Sequence, residues 1–334
     1  MFEPLVSVII PTYNSQDYIR EAVDTVLKQT YANLEIIIVD SSTDDTKQAL
    51  ERYGEKVRYF YQEPKGVSAA RNFGLRQARG SLVAFQDADD RWLPGRIEAQ
   101  ILALRHFPDA ALVFSDYAMF DHSGVILPSA CWPHFKIWLE EHRVTEGDLA
   151  YGQLYWELML GNCIGTCAVL AAKDVLEEFG GFDETFKTCE DLDLWLRVST
   201  KHSFLYIDKV LAEYRVHSSG LSGAQDTRDM TWALDRARVR EKHLRADLVP
   251  QDLRSRVERL QGKDCWELGI ACLDRGDRPL ARTLFSMGLR YRPFDILTWL
   301  YIGFSLLPNS FIAIGKRMKR GIHQGPAWSS EKLK

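Results

Sequence analysis

The stretch "LVAFQDADDRW", residues 82–92, runs an apolar segment straight into three carboxylates, Asp87, Asp89 and Asp90. Carboxylates crowded at a strand end repel one another, so packing gives no reason for them. A hard divalent cation does. Mg²⁺ takes one or two carboxylates and completes its shell with substrate phosphates. The simpler alternative is a solvated turn in which Asp90 caps the next helix.

Three further constellations have the residue types for chemistry on a charged substrate. In "GVSAARNFGLRQARG", Arg71 falls near the first turn of a helix, where the free N–H groups and the dipole favour an anion. No Gly-Lys-Ser/Thr follows, so this is not a Walker loop, and a solvated arginine is the alternative. In "TCEDLDLWLRV", Leu192, Trp195, Leu196 and Ser199 share one helical face and leave Glu190 and Asp191 at the helix start. Acidic residues there can simply offset the dipole; the functional reading is a general base near a nucleophile. In "AEYRVHSSGLS", Arg215 and His217 alternate on one side of an extended segment, where both could meet the charge of a leaving phosphate. A structural histidine is the alternative.

The elements that must position these groups follow from hydrophobic spacing. Residues 5–10 and 34–39 are β-branched runs suited to a parallel sheet covered on both faces. Between them Tyr18, Ile19, Ala22, Val23, Val26 and Leu27 repeat at helical spacing. Helices are predicted over 44–53, 67–78 and 96–106, and strands over 57–61, 81–86 and 111–117. Gly74 sits inside a helix at a propensity cost. This alternation predicts a doubly wound α/β sheet with ligands at the carboxyl ends of its strands, where Asp40 and Asp87 fall. Residues 121–161 are aromatic-rich and less regular, with a helix predicted over 148–160. The strand-like "CAVLAA", a helix over 190–199 and the extended "FLYIDKVLAEYRVH" follow.

After residue 222 the sequence changes to charged helices. We therefore expect a catalytic domain over 1–222 and a smaller all-helical region over 223–334. Within the latter, Leu268, Gly269, Gly276, Ala281, Phe285 and Pro293 fall at the spacings of one tetratricopeptide unit. Stable arrays need about three units, so a lone helical hairpin is expected. Trp299, Tyr301, Ile302, Phe304 and Leu306 precede the basic cluster Lys316, Arg317, Lys319 and Arg320, a pairing that suits peripheral contact with an anionic membrane.

Composition excludes several classes. With 334 residues, 46% of them hydrophobic, the chain can build a sizeable core, and its net charge of −4 leaves no nucleic-acid footprint. Cys163 and Cys167 are four apart but lack a flanking His pair, which favours free thiols in a reducing cytosol over zinc. "MFEPLVSVIIPTYN" lacks the features of a signal peptide, and the apolar run over 296–307 is short of the about 20 residues that span a bilayer. A cytoplasmic protein is expected, with any membrane contact on the inner face.

Taken in order, "VSVIIPTYN", "LEIIIVDSSTDDT", "GVSAARNFGLRQARGSLVAFQDADD", "GGFDETFKTCEDLDLWLRV" and "YRVHSSGLS" resemble the family 2 glycosyltransferases of the GT-A fold, over about residues 4–222. The resemblance implies inverting transfer of a sugar from a nucleotide donor, commonly a UDP-sugar, to a glycan or lipid-linked acceptor, with Mn²⁺ or Mg²⁺ as cofactor. It implies that Pro11, Thr12 and Tyr13 line the base pocket, and that Asp40 contacts the uracil or its ribose. Arg71 meets the nucleotide, Asp87 and Asp89 form the DXD motif, and Asp89 or Asp90 holds the metal. Asp191, beside Glu190, matches the general base, and Arg215 and His217 close on the diphosphate. One departure stands out: the family's V-D-D-G-S-T-D is here Val39-Asp40-Ser41-Ser42-Thr43-Asp44, one residue shorter. Two other readings remain in play: a catalytically silent nucleotide-binding scaffold, and a nucleotidyltransferase on a similar sheet.

Overall fold

The structure, a computed structural model, describes residues 3–130, 133–144, 148–217, 220 and 231–306. The chain divides into two compact units, Met1–Val239 and Arg240–Lys334. The boundary expected near residue 222 lies outside the described residues.

The first unit opens with β1 (Val6–Thr12), α1 (Ile19–Leu27), β2 (Leu34–Asp40), α2 (Thr46–Leu50), β3 (Arg58–Tyr61), α3 (Val67–Gln77) and β4 (Leu82–Phe85). Then come β5 (Arg91–Trp92), α4 (Arg96–His106), β6 (Leu112–Asp121), β7 (Gly124–Leu127), α5 (Pro133–His142), β8 (Leu149–Gly152) and α6 (Tyr155–Leu160). It continues through β9 (Val169–Ala172), α7 (Lys173–Glu178), α8 (Glu190–Ser199), β10 (Phe204–Arg215) and α9 (Thr231–Arg245). Helix α9 runs through the boundary between the units.

One sheet runs in the order β3-β2-β1-β4-β9-β6-β10-β5, with β7 added on β6 and β8 on β10. β1 pairs in parallel with both β2 and β4, so the chain order reverses there. That is the switch point where such sheets bind ligands. Every residue of β1 is buried, as its unbroken apolar run requires. Gly74 is explained by a close approach: a Cβ there would lie 2.4 Å from Ile9 Cγ2. The small residue lets α3 lie directly on β1 and so sets where Arg71 points.

Two local expectations are corrected. The helix expected over 148–160 is strand β8 followed by the short α6, because residues 149–152 pair antiparallel with β10. A sheet ladder outweighs weak helical periodicity in an aromatic-rich run. The helix expected over 44–53 ends at Leu50 and tightens into a 3₁₀ turn, Glu51–Lys56, kinked at Gly54 (φ 49°). The sheet is also mixed: β9 lies antiparallel between β4 and β6.

The second unit continues with α10 (Arg254–Arg275), α11 (Arg278–Leu289) and α12 (Ile296–Leu306). α10 and α11 form a hairpin closed at Gly276 (φ 86°), and the Asp277 side chain caps α11 by accepting from the Leu280 N–H at 3.1 Å. Gly269 faces the Phe285 ring, which a Cβ would meet at 2.4 Å.

Candidate active site

The carboxyl ends of β1, β2 and β4 gather the residues singled out above. Arg71 lies 4% exposed between two carboxylates. Its Nη1 donates to Glu190 Oε1 at 2.6 Å and its Nη2 to Asp87 Oδ1 at 2.7 Å. Burial opposes its charge, but Asp87 and Glu190 hold the guanidinium above its ordinary value. One guanidinium faces two carboxylates, so the cluster is short of positive charge. Burial pushes the Glu190 carboxyl up to about 7, against the pull of Arg71.

The three aspartates of the loop after β4 have different surroundings. Asp87 and Asp89 keep 26% and 29% of their side chains exposed, whereas Asp90 is 1% exposed. Asp89 Oδ2 lies 2.8 Å from His217 Nε2. Burial, then the neighbouring Asp87, push Asp89 up. Asp90 turns inward. Its Oδ1 accepts the Arg215 backbone N–H at 2.8 Å, and Oδ2 is sealed beside the Cys167 thiol. Burial and the charges of Asp89 and Asp87 push it well above the usual carboxylate range. Arg215 Nε donates to the Asp89 carbonyl at 2.8 Å and its Nη2 pairs with Glu21. Strand β10 is thereby stitched to the acidic loop, and His217 follows two residues later.

Glu190 and Asp191 begin α8 and face different partners. Asp191 Oδ2 accepts from Asn162 Nδ2 at 2.8 Å and Thr166 Oγ1 at 2.9 Å. These neutral donors fix its direction, whereas Glu190 is tied to a cation.

At the neighbouring loops, Asp40 is 1% exposed and accepts from the Ser42 N–H at 2.9 Å and the Tyr59 hydroxyl at 2.7 Å. The shortened loop is held by Asn14, whose N–H donates to Ser42 Oγ at 2.8 Å and whose Oδ1 accepts the Thr43 N–H at 2.9 Å. Asn14 adopts φ 49°, which asparagine tolerates. Thr12 is buried and Tyr13 is 60% exposed, an open aromatic face beside the loop.

Sequence reasoning missed several members of the site. Tyr18 packs on His217 with ring centroids 4.7 Å apart, and buried Gln86 donates to the Asp90 carbonyl at 2.7 Å. Glu21, Asn162 and Thr166 were also passed over. Tyr18, at the start of α1, and Glu21 in its first turn are three apart, a spacing visible in the sequence; Asn162 and Thr166 lie between α6 and β9 with no such mark.

Among the described residues, no set of three His, Cys, Asp or Glu side chains is arranged to hold a metal ion. The local chemistry nevertheless fits a cation whose shell a substrate completes. Asp87 and Asp89 are neighbours on one loop and partly exposed, and burial, then Asp87, push Asp89 up.

Comparison with known proteins identifies the family and the fold. The family model "Glycosyl transferase family 2" matches residues 7–175, half of the chain, and the chain belongs to that family. An uncharacterized glycosyltransferase of Rickettsia typhi is 33% identical over 220 residues, covering 65% of this chain and 66% of that one. The chain spans between 30% and 66% of the length of such rickettsial relatives. The Escherichia coli UDP-Glc:alpha-D-GlcNAc-diphosphoundecaprenol beta-1,3-glucosyltransferase WfgD is 29% identical over 229 residues, 66% of this chain and 81% of that one. The solved structure of S. aureus TarS 1-349 in complex with UDP-GlcNAc shares the fold at 17% identity, with a TM-score of 0.62 over 86% of this chain and 81% of that chain. The fold is GT-A.

Proposed function

We propose that the protein transfers a sugar from a nucleoside-diphosphate donor, a UDP-sugar first, to an acceptor hydroxyl with inversion of the anomeric carbon. The observation that carries this reading is the contrast between neighbours in α8: Asp191 accepts from the neutral donors Asn162 and Thr166 while Glu190 is tied to Arg71. A carboxylate held in place by neutral donors and free of an ion pair is what a general base requires.

In this reading Tyr13, with Pro11, Thr12 and Asp40 behind it, receives the base, and Arg71 and His217 face the diphosphate. The acceptor oxygen attacks the anomeric carbon as the bond to the phosphate oxygen breaks and its electron pair leaves with the nucleoside diphosphate. Asp191 takes the proton. One displacement inverts the centre; retention would need a placed nucleophile as well. Asp89, with Asp87 and His217 beside it, would hold Mn²⁺ or Mg²⁺, which would offset charge on the leaving diphosphate. Asp90 supports that group from behind by holding the Arg215 backbone. Glu190 serves as the partner that keeps Arg71 extended.

The test is release of nucleoside diphosphate from a panel of UDP-sugars, with Mn²⁺ or Mg²⁺ and with EDTA. Metal-dependent UDP release supports the reading. Pyrophosphate release would favour a nucleotidyltransferase, and UDP binding without turnover of any donor would favour a silent scaffold.

A second observation supports a proposal for the acceptor class. Helix α12 is inverted in polarity: Thr298 and Ser305 are buried, while Ile296, Trp299, Leu300 and Leu306 are 73%, 56%, 50% and 68% exposed. The basic cluster Lys316, Arg317, Lys319 and Arg320 follows in sequence, outside the described residues. Among the described residues, no helix is long and apolar enough to cross a membrane. We propose that α12 lies on an anionic lipid surface and brings the enzyme to a lipid-linked acceptor, the class named for the Escherichia coli relative. Flotation with anionic vesicles at low salt should carry the wild type and leave a Trp299→Glu/Leu300→Glu variant behind. Equal flotation of both, or of neither, would reject it.

A further inference from the structure

Three non-glycine residues among those described adopt a left-handed backbone: Asn14, Asp247 and Cys189. Asparagine and aspartate tolerate that region; cysteine has no side-chain compensation for it. Cys189 (φ 60°, ψ 17°) is the N-cap of α8, immediately before Glu190 and Asp191, and its side chain makes no capping bond. N-caps ordinarily sit in the extended region. Something outside the helix must therefore hold this turn, and the direction in which the two carboxylates leave it depends on the turn.

The holding group lies on α9. Asp235 is 3% exposed, and its Oδ2 accepts both the Thr188 N–H and the Thr188 hydroxyl, each at 3.1 Å. One turn earlier on the same helix, the Trp232 carbonyl accepts from Cys189 Sγ at 3.5 Å. Arg238 Nη1 bonds the second oxygen of Asp235 at 2.9 Å, so both oxygens are engaged and the carboxylate is oriented. A buried carboxylate shared between one threonine and one arginine is costly unless the turn it fixes matters.

We infer that Asp235 is a positioning residue for the transfer reaction, clamping Thr188 so that Cys189 stays left-handed and Asp191 is aimed at the acceptor oxygen. This rests on the assignment of Asp191 above, and it deepens that assignment by placing part of the catalytic geometry on a helix that lies beyond the family match. Asp235 touches no reacting atom in this account. Losing it should cost kcat and spare donor binding.

Two readouts separate the clamp from the base. The first is alkylation of Cys189 by iodoacetamide, mapped by peptide mass spectrometry. Cys189 is 7% exposed and burial pushes its thiol up, so it should react slowly in the native protein. Asp235→Ala should raise its rate about tenfold through local opening, with buried Cys265 unchanged. The second is kinetic: kcat should fall about 10²-fold, the cost of a small misplacement, while donor KM and UDP affinity hold. Asp235→Asn, which keeps an oxygen for Thr188, should recover most of kcat. If Asp235→Ala fails to fold, Thr188→Ala removes only the hydroxyl bond and should move both readouts the same way by less. Unchanged Cys189 labelling, or loss of UDP affinity in step with kcat, would overturn the inference. So would normal kcat with raised labelling. Labelling does not depend on which residue is the base, so a failure of Asp191 itself shows separately, in Asp191→Asn.

Discussion

Two regions of the molecule, the candidate site with its supports and helix α12, depart from ordinary packing in opposite directions. In the first, ionisable side chains are buried: Arg71, Asp90, Glu190 and Asp235 are each less than a tenth exposed. In the second, apolar surface is left in water along α12, with Phe294 93% exposed just before it. A buried charge costs stability unless paired, and exposed apolar area forfeits burial. Each departure therefore marks where folding alone does not account for the residue. In the proposed reading the first receives a polar ligand and the second an apolar surface.

The comparison can be broken most forcefully at Arg71. Arg71→Met leaves Asp87 and Glu190 without their cation, and breaking a buried pair costs about 3–5 kcal/mol. Chemical denaturation should show that loss together with loss of transfer. A variant as stable as the wild type would mean the cluster is not held by this arginine. Next in size is Asp89→Ala. It should cost about 10²–10³-fold in kcat, the scale for removing one group that offsets charge on a leaving group. Its melting temperature should hold or rise because the crowding with Asp87 is relieved.

Smaller is a pH effect carried by Glu190. Its folded pKa, about 7, lies above its ordinary 4.5. Between those values the folded state binds the extra proton, so this group's contribution to stability is present below the lower value and lost as pH rises through the upper one. Glu190→Gln should flatten that part of the melting curve against pH. An identical slope in both proteins would contradict the shift. Smallest is Trp299→Glu in α12, which should move stability by less than about 0.5 kcal/mol, as for surface substitutions. A large loss would mean that α12 is covered within the protein.

Much of the sheet was legible because β-branched runs alternated with helical spacing; β1, β2, α1, α3 and α4 lie close to where the spacing puts them. The antiparallel insertion of β9 was not legible, since "CAVLAA" carries no mark of its partners. Residues 148–160 misled because a short aromatic run has no firm period until β10 pairs with it. Within the site, the charged members stood out by type and position: Arg71, the acidic loop, Glu190 and Asp191, Arg215 and His217. Their opposite orientations were hidden. Nothing in "DADD" says that Asp90 turns inward, and nothing in "CED" says that one carboxylate meets an arginine and the other an amide. Those facts depend on Asn162, Thr166 and Arg215, which chain folding brings from other elements.

The most direct test of the account is Asp191→Asn, assayed for glycosyl transfer and for UDP binding by calorimetry. The amide keeps the shape and one oxygen for Asn162 and Thr166 but cannot take a proton. Transfer should fall about 10²–10⁴-fold, the range for a lost general base, while UDP affinity stays at the wild-type value. Near-normal transfer would remove Asp191 as the base, and lost UDP binding would make its role structural.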